Sequence, residues 1–144
     1  MNLTLRAGLT WFGLLILAFV NGALREIGLK KYAVISESHA HQLSCLTGII
    51  FWTVFVWLVW PKLAIQNFKE AVSVGSAWFL GTWVFETFVL NRNLSWSEIL
   101  HTYDVLAGEY WGLVLVWIWW MPAAIQIMRP KFRRPEPTRS FGKD

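Results

Sequence analysis

Hydrophobic residues form four long blocks that contain no charged side chain. Asp, Glu, Lys and Arg are all absent from residues 7–24, 38–61, 71–85 and 110–128. A helix needs about 20 residues, at a rise of 1.5 Å per residue, to cross a hydrocarbon layer about 30 Å thick. The pattern therefore predicts an all-α protein with four transmembrane helices, at about residues 9–24, 41–60, 72–90 and 110–128, arranged as an up-down bundle.

A further short helix is predicted before the last span. Ser95 and Glu98 have the spacing of a capping box, in which each side chain satisfies a backbone amide of the other residue. Apolar residues then recur at helical spacing from Trp96 to about Leu106, and Gly108 is a plausible stop. We expect this amphipathic helix to lie in the membrane interface. Pro61 is expected to end the second span, since proline fits poorly inside a helix.

Composition excludes several classes of protein. Hydrophobic residues make up 56% of the 144 residues and charged residues only 15%, against about 25% in soluble domains. A soluble globule is excluded, and the connections leave no room for a separate catalytic domain of about 100 residues. Cys45 is the single cysteine, so this chain cannot build a disulfide or a CxxC redox site.

The basic residues predict the orientation in the membrane. One side of the predicted bundle has nine of them, Arg6, Lys62, Lys69, Arg129, Lys131, Arg133, Arg134, Arg139 and Lys143, and the other has four, Arg25, Lys30, Lys31 and Arg92. The positive-inside rule then places both termini in the cytoplasm. Residues 1–128 form the predicted membrane domain, and residues 129–144 a basic, proline-containing cytoplasmic tail that we expect to be disordered. We interpret the net charge of +4 as a topology signal, with no nucleic acid as partner.

Ten of the eleven tryptophans form two sets, and Trp96 belongs to neither set. Five lie near predicted span ends, where the membrane interface accounts for them: Trp11, Trp60, Trp111, Trp119 and Trp120. Five lie deeper and are interpreted as filler between helices, as lipid-facing residues or as the lining of a ligand groove: Trp52, Trp57, Trp78, Trp83 and Trp117.

Ionisable residues collect on the predicted outer side, which is the strongest functional signal in the chain because buried charges are costly in a membrane. Asn21 and Arg25 are four residues apart, as are Glu37 and His41, so each pair shares a helix face. Glu86 is the deepest charge, about 7 Å from the end of its span by helical rise. We predict an ion pair between Arg25 and Glu86, with Glu37 or Asp104 as the competing partner. The candidate site residues are Asn21, Arg25, Glu37, His41, Glu86 and Asp104.

Several functions are compatible with this cluster. In one interpretation the cluster has a purely structural role, and its charges serve to fix the register of the helices. The favoured function is a non-enzymatic accessory or binding protein for an amphiphile, such as a lipid or a quinone, or for a partner's transmembrane helix. The first alternative is a small membrane enzyme using Glu37, His41 and Glu86, with His39 or His101 as further ligands if a metal is involved. The second is a proton-coupled carrier, which would require a homo-oligomer. The sequence identifies no cofactor.

Several short motifs resemble a family of small bacterial integral membrane proteins. They are NGALRE at residues 21–26, ESHAHQLS at 37–44, Phe85 with Glu86, SWSEIL at 95–100, Tyr103 with Asp104, and GEYWGLVL at 108–115. The resemblance covers about 100 residues and leaves out the tail. It implies four helices in a bacterial inner membrane, and it implies no activity.

Overall fold

The computed structural model describes residues 2–30 and 36–129, and the predicted tail lies outside them except for Arg129. The elements are α1 (Leu3–Leu24), which continues into a π-helical segment (Arg25–Lys30), α2 (Glu37–Leu63), α3 (Phe68–Phe85), which continues into a second π-helical segment (Glu86–Leu90), α4 (Trp96–His101), a 3₁₀ turn (Val105–Ala107) and α5 (Trp111–Met128). All of these elements are helical. Four of the helices are long and apolar enough to span a membrane, which confirms the predicted all-α class and the predicted number of long apolar helices.

The second span does not end at the proline. Pro61 lies inside α2, which continues to Leu63 and ends at Ala64 in the left-handed conformation, with φ 54°. A proline has no N–H to donate to the carbonyl four residues earlier, which here belongs to Trp57. The Arg129 guanidinium fills this role: its Nη2 donates to the Trp57 carbonyl at 2.6 Å, and its Cζ lies 4.4 Å from the centre of the Trp57 ring.

The short helix begins as predicted and ends earlier than predicted. Both halves of the capping box between Ser95 and Glu98 are present. The helix ends at His101, before the expected Leu106, because the Asp104 side chain accepts from the backbone amides of Leu106 and Ala107 and so favours a tight turn. Gly108 follows at φ 89°, a conformation that glycine adopts without strain.

Two of the long helices, α3 and α5, approach each other closely at a glycine. A Cβ atom built on Gly75 of α3 would lie 2.0 Å from the Trp119 carbonyl oxygen of α5, so only glycine fits. Small residues allow such backbone contact between membrane helices. This contact brings the two backbones together and sets the separation of α3 and α5.

Indole N–H groups connect the spans to one another. In an apolar environment, such hydrogen bonds satisfy the donor and hold the two helices together. The acceptors are Thr82 Oγ1 for Trp11 at 3.1 Å, the Leu14 carbonyl for Trp52 at 3.2 Å, the Ala7 carbonyl for Trp78 at 2.9 Å, Thr53 Oγ1 for Trp117 at 2.9 Å and Ser76 Oγ for Trp119 at 3.1 Å. Tryptophans from both predicted sets therefore hold the bundle together.

Candidate functional site

A cavity of about 510 Å³ lies between α1, α2, α3 and α5. Its deeper wall is apolar, and this part is formed mainly by Leu14, Leu15, Ala18, Trp52 and Ile118. Its rim is polar and includes Asn21, Arg25, Glu26, His41, Glu86, Glu109 and Trp111. From Arg25 to Leu14 the cavity follows α1 for about 16 Å by helical rise. This volume is typical of sites that bind small molecules.

Both π-helical segments begin at a charged residue of the rim. One starts at Arg25, directly after α1, and the other at Glu86, directly after α3. A π-helical turn takes more residues than an α-helical turn and so changes the direction in which the following side chains point. Such turns are frequent at functional sites, and here two of them occur at one cavity.

Three charged or titratable side chains form a chain of contacts at the rim. Arg25 Nη1 lies 3.2 Å from His41 Nδ1, and His41 Nε2 lies 3.3 Å from Glu109 Oε2. Because a guanidinium can only donate, Nδ1 must accept, and the proton of a neutral imidazole is then on Nε2 and is donated to Glu109. A neutral His41 with these two contacts is therefore the Nε2–H tautomer.

The Arg25–Glu86 prediction is wrong. Arg25 pairs instead with Glu26, at 3.1 Å between Nη2 and Oε1, and its Nε donates to the same oxygen at 3.2 Å. Glu86 accepts from the Tyr103 hydroxyl at 3.1 Å and from the Trp111 indole N–H. The two predicted partners line the same cavity, but each is already bound to other residues.

Tyr103 joins the segment after α4 to the end of α3. Its hydroxyl reaches Glu86 from outside the spans. Burial raises the pKa of Tyr103 to about 12, and the negative charge of Glu86 and the hydrogen bond to it add to this effect. The tyrosine is therefore a neutral donor over the physiological pH range.

Asn21 has a structural position at the base of the rim. Its Nδ2 donates to the Ser44 carbonyl at 2.8 Å and to Ser44 Oγ at 3.0 Å, and its Oδ1 accepts from Thr47 Oγ1 at 2.9 Å. A Cβ on Gly48 would lie 3.2 Å from Asn21 Nδ2, so the glycine leaves room for the amide. This network fixes α1 against α2 just below Arg25.

The remaining candidates lie apart from the cavity. Glu37 is exposed in the first turn of α2 and is not one of the described residues that line the cavity, and Asp104 caps the 3₁₀ turn. In the part of the chain that the structure describes, no group of three His, Cys, Asp or Glu side chains could hold a metal ion. The structure thus brings together Asn21, Arg25, His41 and Glu86 out of the six predicted site residues.

Sequence reasoning missed the residues that complete the rim. Glu26 and Glu109 supply its carboxylates, and Trp111 and Tyr103 supply donors to Glu86. Glu109 belongs to the ionisable residues on the predicted outer side, so a signal for it existed. For Trp111 the sequence predicts only a position at the membrane interface, because a sequence pattern does not show which acceptor an indole N–H group meets.

A cysteine and a histidine meet at the rim without forming a nucleophile pair. Cys45 Sγ lies 3.7 Å from His41 Nε2, the same nitrogen that contacts Glu109. A catalytic histidine needs its nucleophile and its orienting acid on opposite ring nitrogens. Here Nδ1 faces Arg25 instead, so Cys45 and His41 do not have the geometry of such a catalytic pair.

The chain matches none of the protein-family models, curated proteins or solved structures with which it was compared. The resemblance to small bacterial membrane proteins stays a prediction.

Proposed function

We propose that the protein is a non-enzymatic, multi-pass membrane protein that binds an amphiphile between its spans. One observation carries this proposal: a cavity of about 510 Å³ has an apolar interior and a charged rim at one end. An apolar chain would occupy the interior, beside Leu14, Trp52 and Ile118, and a polar group would lie among the rim residues. Ligand sites typically combine a mainly apolar lining with a few polar groups that orient the ligand.

The proposal includes an orientation in the membrane. The spans form an up-down bundle in a bacterial inner membrane, with both termini in the cytoplasm and the cavity rim on the periplasmic side. The distribution of basic residues supports this orientation. Helix α4 and the following turn would lie in the periplasmic interface, because Trp96, Leu100 and Leu106 are 60%, 68% and 100% exposed and would otherwise face water.

The enzyme alternative has less support. A small membrane enzyme would need Glu37, His41 and Glu86 in one site, and Glu37 is not among the described residues that line the cavity. No observation specifically favours the proton-coupled carrier, and a partner's transmembrane helix is a larger ligand than this cavity accommodates.

Native mass spectrometry of the full chain, released from its own membranes in a mild detergent, tests the binding function. We expect a discrete adduct of lipid size on the wild-type protein. Ala18→Phe should abolish the adduct, because Ala18 lines the cavity and the new ring would occupy it. Ala77→Phe is the matched control, since Ala77 is exposed on α3 and lies outside the cavity lining.

The two variants separate the cavity from the rest of the lipid-facing surface. An adduct retained on Ala18→Phe, in protein with unchanged helix content, would contradict the proposal. An adduct lost equally from both variants would place lipid on the outer surface of the bundle and would contradict it as well.

A further inference from the structure

Among the described residues that line the cavity rim, carboxylates outnumber guanidinium groups. The rim has one guanidinium, Arg25, and three carboxylates, Glu26, Glu86 and Glu109. Arg25 is paired with Glu26. Within residues 2–30 and 36–129, no Lys or Arg forms an ion pair with Glu86 or Glu109, although charges in a membrane protein are normally paired.

Glu86 is the more deeply buried of these two carboxylates. It is only 8% exposed, and within residues 2–30 and 36–129 no Lys, Arg or His forms an ion pair with it. Its protein donors are the hydroxyl of Tyr103 and the indole of Trp111, both of which are neutral groups. These hydrogen bonds orient the carboxyl group and bring no positive charge to it.

Glu109 has a similar environment. Its contact at the rim is with His41 Nε2 at 3.3 Å, and the other ring nitrogen of His41 faces the Arg25 guanidinium. The side chain of Glu109 is 36% exposed, so it is partly accessible at the rim. Glu109 is therefore a second carboxylate at the rim that has no Lys or Arg partner in the part of the chain that the structure describes.

The strong donors of the rim are already engaged. Arg25 uses Nε and Nη2 on Glu26 and Nη1 on His41, and the N–H and O–H groups of Trp111 and Tyr103 are directed at Glu86. A quinone or an anionic headgroup brings only acceptors, and it would have to displace these protein acceptors. A headgroup that brings donors and a positive charge meets unused acceptors.

We propose that the cavity selects an amphiphile whose polar end is a primary ammonium group, held at the rim by Glu86 and Glu109. This inference rests on the proposed binding function. An ammonium has three donors and one positive charge, which matches two carboxylates that have no Lys or Arg partner among the described residues. The same group could come from an ethanolamine phospholipid or from a free long-chain amine, and the apolar chain would fill the interior beside Leu14 and Ile118.

The test compares ligands that share one chain and differ at the polar end. Dodecylamine, dodecanol and dodecanoate are titrated into the full chain in a nonionic detergent, and binding is followed by the fluorescence of the tryptophans, two of which, Trp52 and Trp111, line the cavity. We expect dodecylamine to bind about tenfold more tightly than dodecanol, the size of effect of one charge-assisted hydrogen bond. Dodecanoate should bind more weakly than dodecanol.

Neutral isosteres identify the carboxylates involved. Glu86→Gln and Glu109→Gln should each reduce dodecylamine affinity about tenfold and leave dodecanol affinity unchanged. Glu70→Gln, at the opposite end of α3, is the control and should change neither affinity. If Glu86→Gln does not fold, the more exposed Glu109→Gln still tests the inference. Each variant is measured in the same micelles as the wild type, so unequal partitioning of the ligands into detergent cancels.

Different failures have different meanings. If neither dodecylamine nor dodecanol binds in a way that Ala18→Phe abolishes, the proposed function itself fails. If both bind equally, or if the isosteres leave dodecylamine affinity unchanged, the cavity binds amphiphiles and only the ammonium preference is wrong. If dodecylamine is preferred as expected, lysophospholipids with ethanolamine and glycerol headgroups identify the source of the ammonium group. A preference for ethanolamine points to a phospholipid, and a preference confined to dodecylamine points to a free amine.

Discussion

Tyr103 is the residue whose protonation most directly affects the contacts of the rim. Its pKa is raised from 10.0 to about 12, first by burial and then by Glu86. A raised pKa means that the folded state favours the neutral phenol. The stabilisation by Tyr103 is therefore fully present below pH 10 and is lost as the pH rises from 10 towards 12.

Tyr103→Phe removes this hydroxyl and should lower the free energy of unfolding by about 1 kcal/mol at neutral pH, the usual value of one hydrogen bond. The difference between wild type and variant should shrink between pH 10 and pH 12, because the wild type loses the same bond there. Denaturant unfolding in detergent across this range measures it. A difference that stays constant to pH 12 would show that the phenol does not titrate against Glu86.

Individual residues also show where sequence reasoning reached its limit. Arg25 and Glu86 were correctly expected at similar depth at one end of the bundle, and they do line one cavity. The ion pair between them was wrong because Arg25 begins a π-helical segment and meets the adjacent Glu26, which regular α-helical spacing does not predict. A spacing rule within one helix also gives no information on Glu109, which reaches His41 from the segment before α5.

At the scale of elements, the contact between α3 and α5 depends on one missing side chain. Gly75→Ala would place a methyl group 2.0 Å from the Trp119 carbonyl oxygen, and a backbone atom cannot yield as a flexible side chain can. We expect a loss of about 3 kcal/mol in unfolding free energy, at the upper end for overpacked sites. Thermal unfolding in detergent, followed by circular dichroism, measures the change.

Gly8→Ala provides the control for this prediction. No atom lies within 4 Å of a Cβ at Gly8, so the substitution should be neutral or stabilise α1 by about 0.5–1 kcal/mol through helix propensity. Equal melting temperatures for the two variants would mean that α3 and α5 do not approach each other at Gly75.

The hydrophobic blocks predicted that the four long helices exist, but they did not predict the residues at which the helices end. Helix α2 passes through Pro61 because the Trp57 carbonyl gains a hydrogen bond from Arg129, a residue 72 positions away. Helix α4 begins at its predicted capping box, whose residues are local, and ends early because the Asp104 side chain competes for backbone amides. Ends set by local contacts could be predicted, and ends set by distant contacts could not.

At the scale of the whole molecule, the cavity of the proposed amphiphile site is a property of the packing of four helices. The polar rim could be expected from charges that recur at similar depth, but the apolar interior could not. Leu14, Trp52 and Ile118 resemble any other apolar residues of their spans, and only their arrangement leaves a cavity. The excess of carboxylates at the rim depends on which donor each carboxylate meets, and the sequence does not show these partners.

Membrane sidedness decides which compartment the cavity opens to, and it can be tested with single cysteines. In a Cys45→Ala background, Asn93→Cys places an exposed thiol between α3 and α4, and Gln66→Cys places one between α2 and α3. Neither change alters the basic residues on which the positive-inside rule depends. A polar maleimide that does not cross the inner membrane should label Asn93→Cys in intact cells and Gln66→Cys only after lysis. The opposite pattern would place the rim in the cytoplasm, so that Glu86 and Glu109 would meet amphiphiles of the inner leaflet. Labelling of both thiols in intact cells would contradict the up-down arrangement itself.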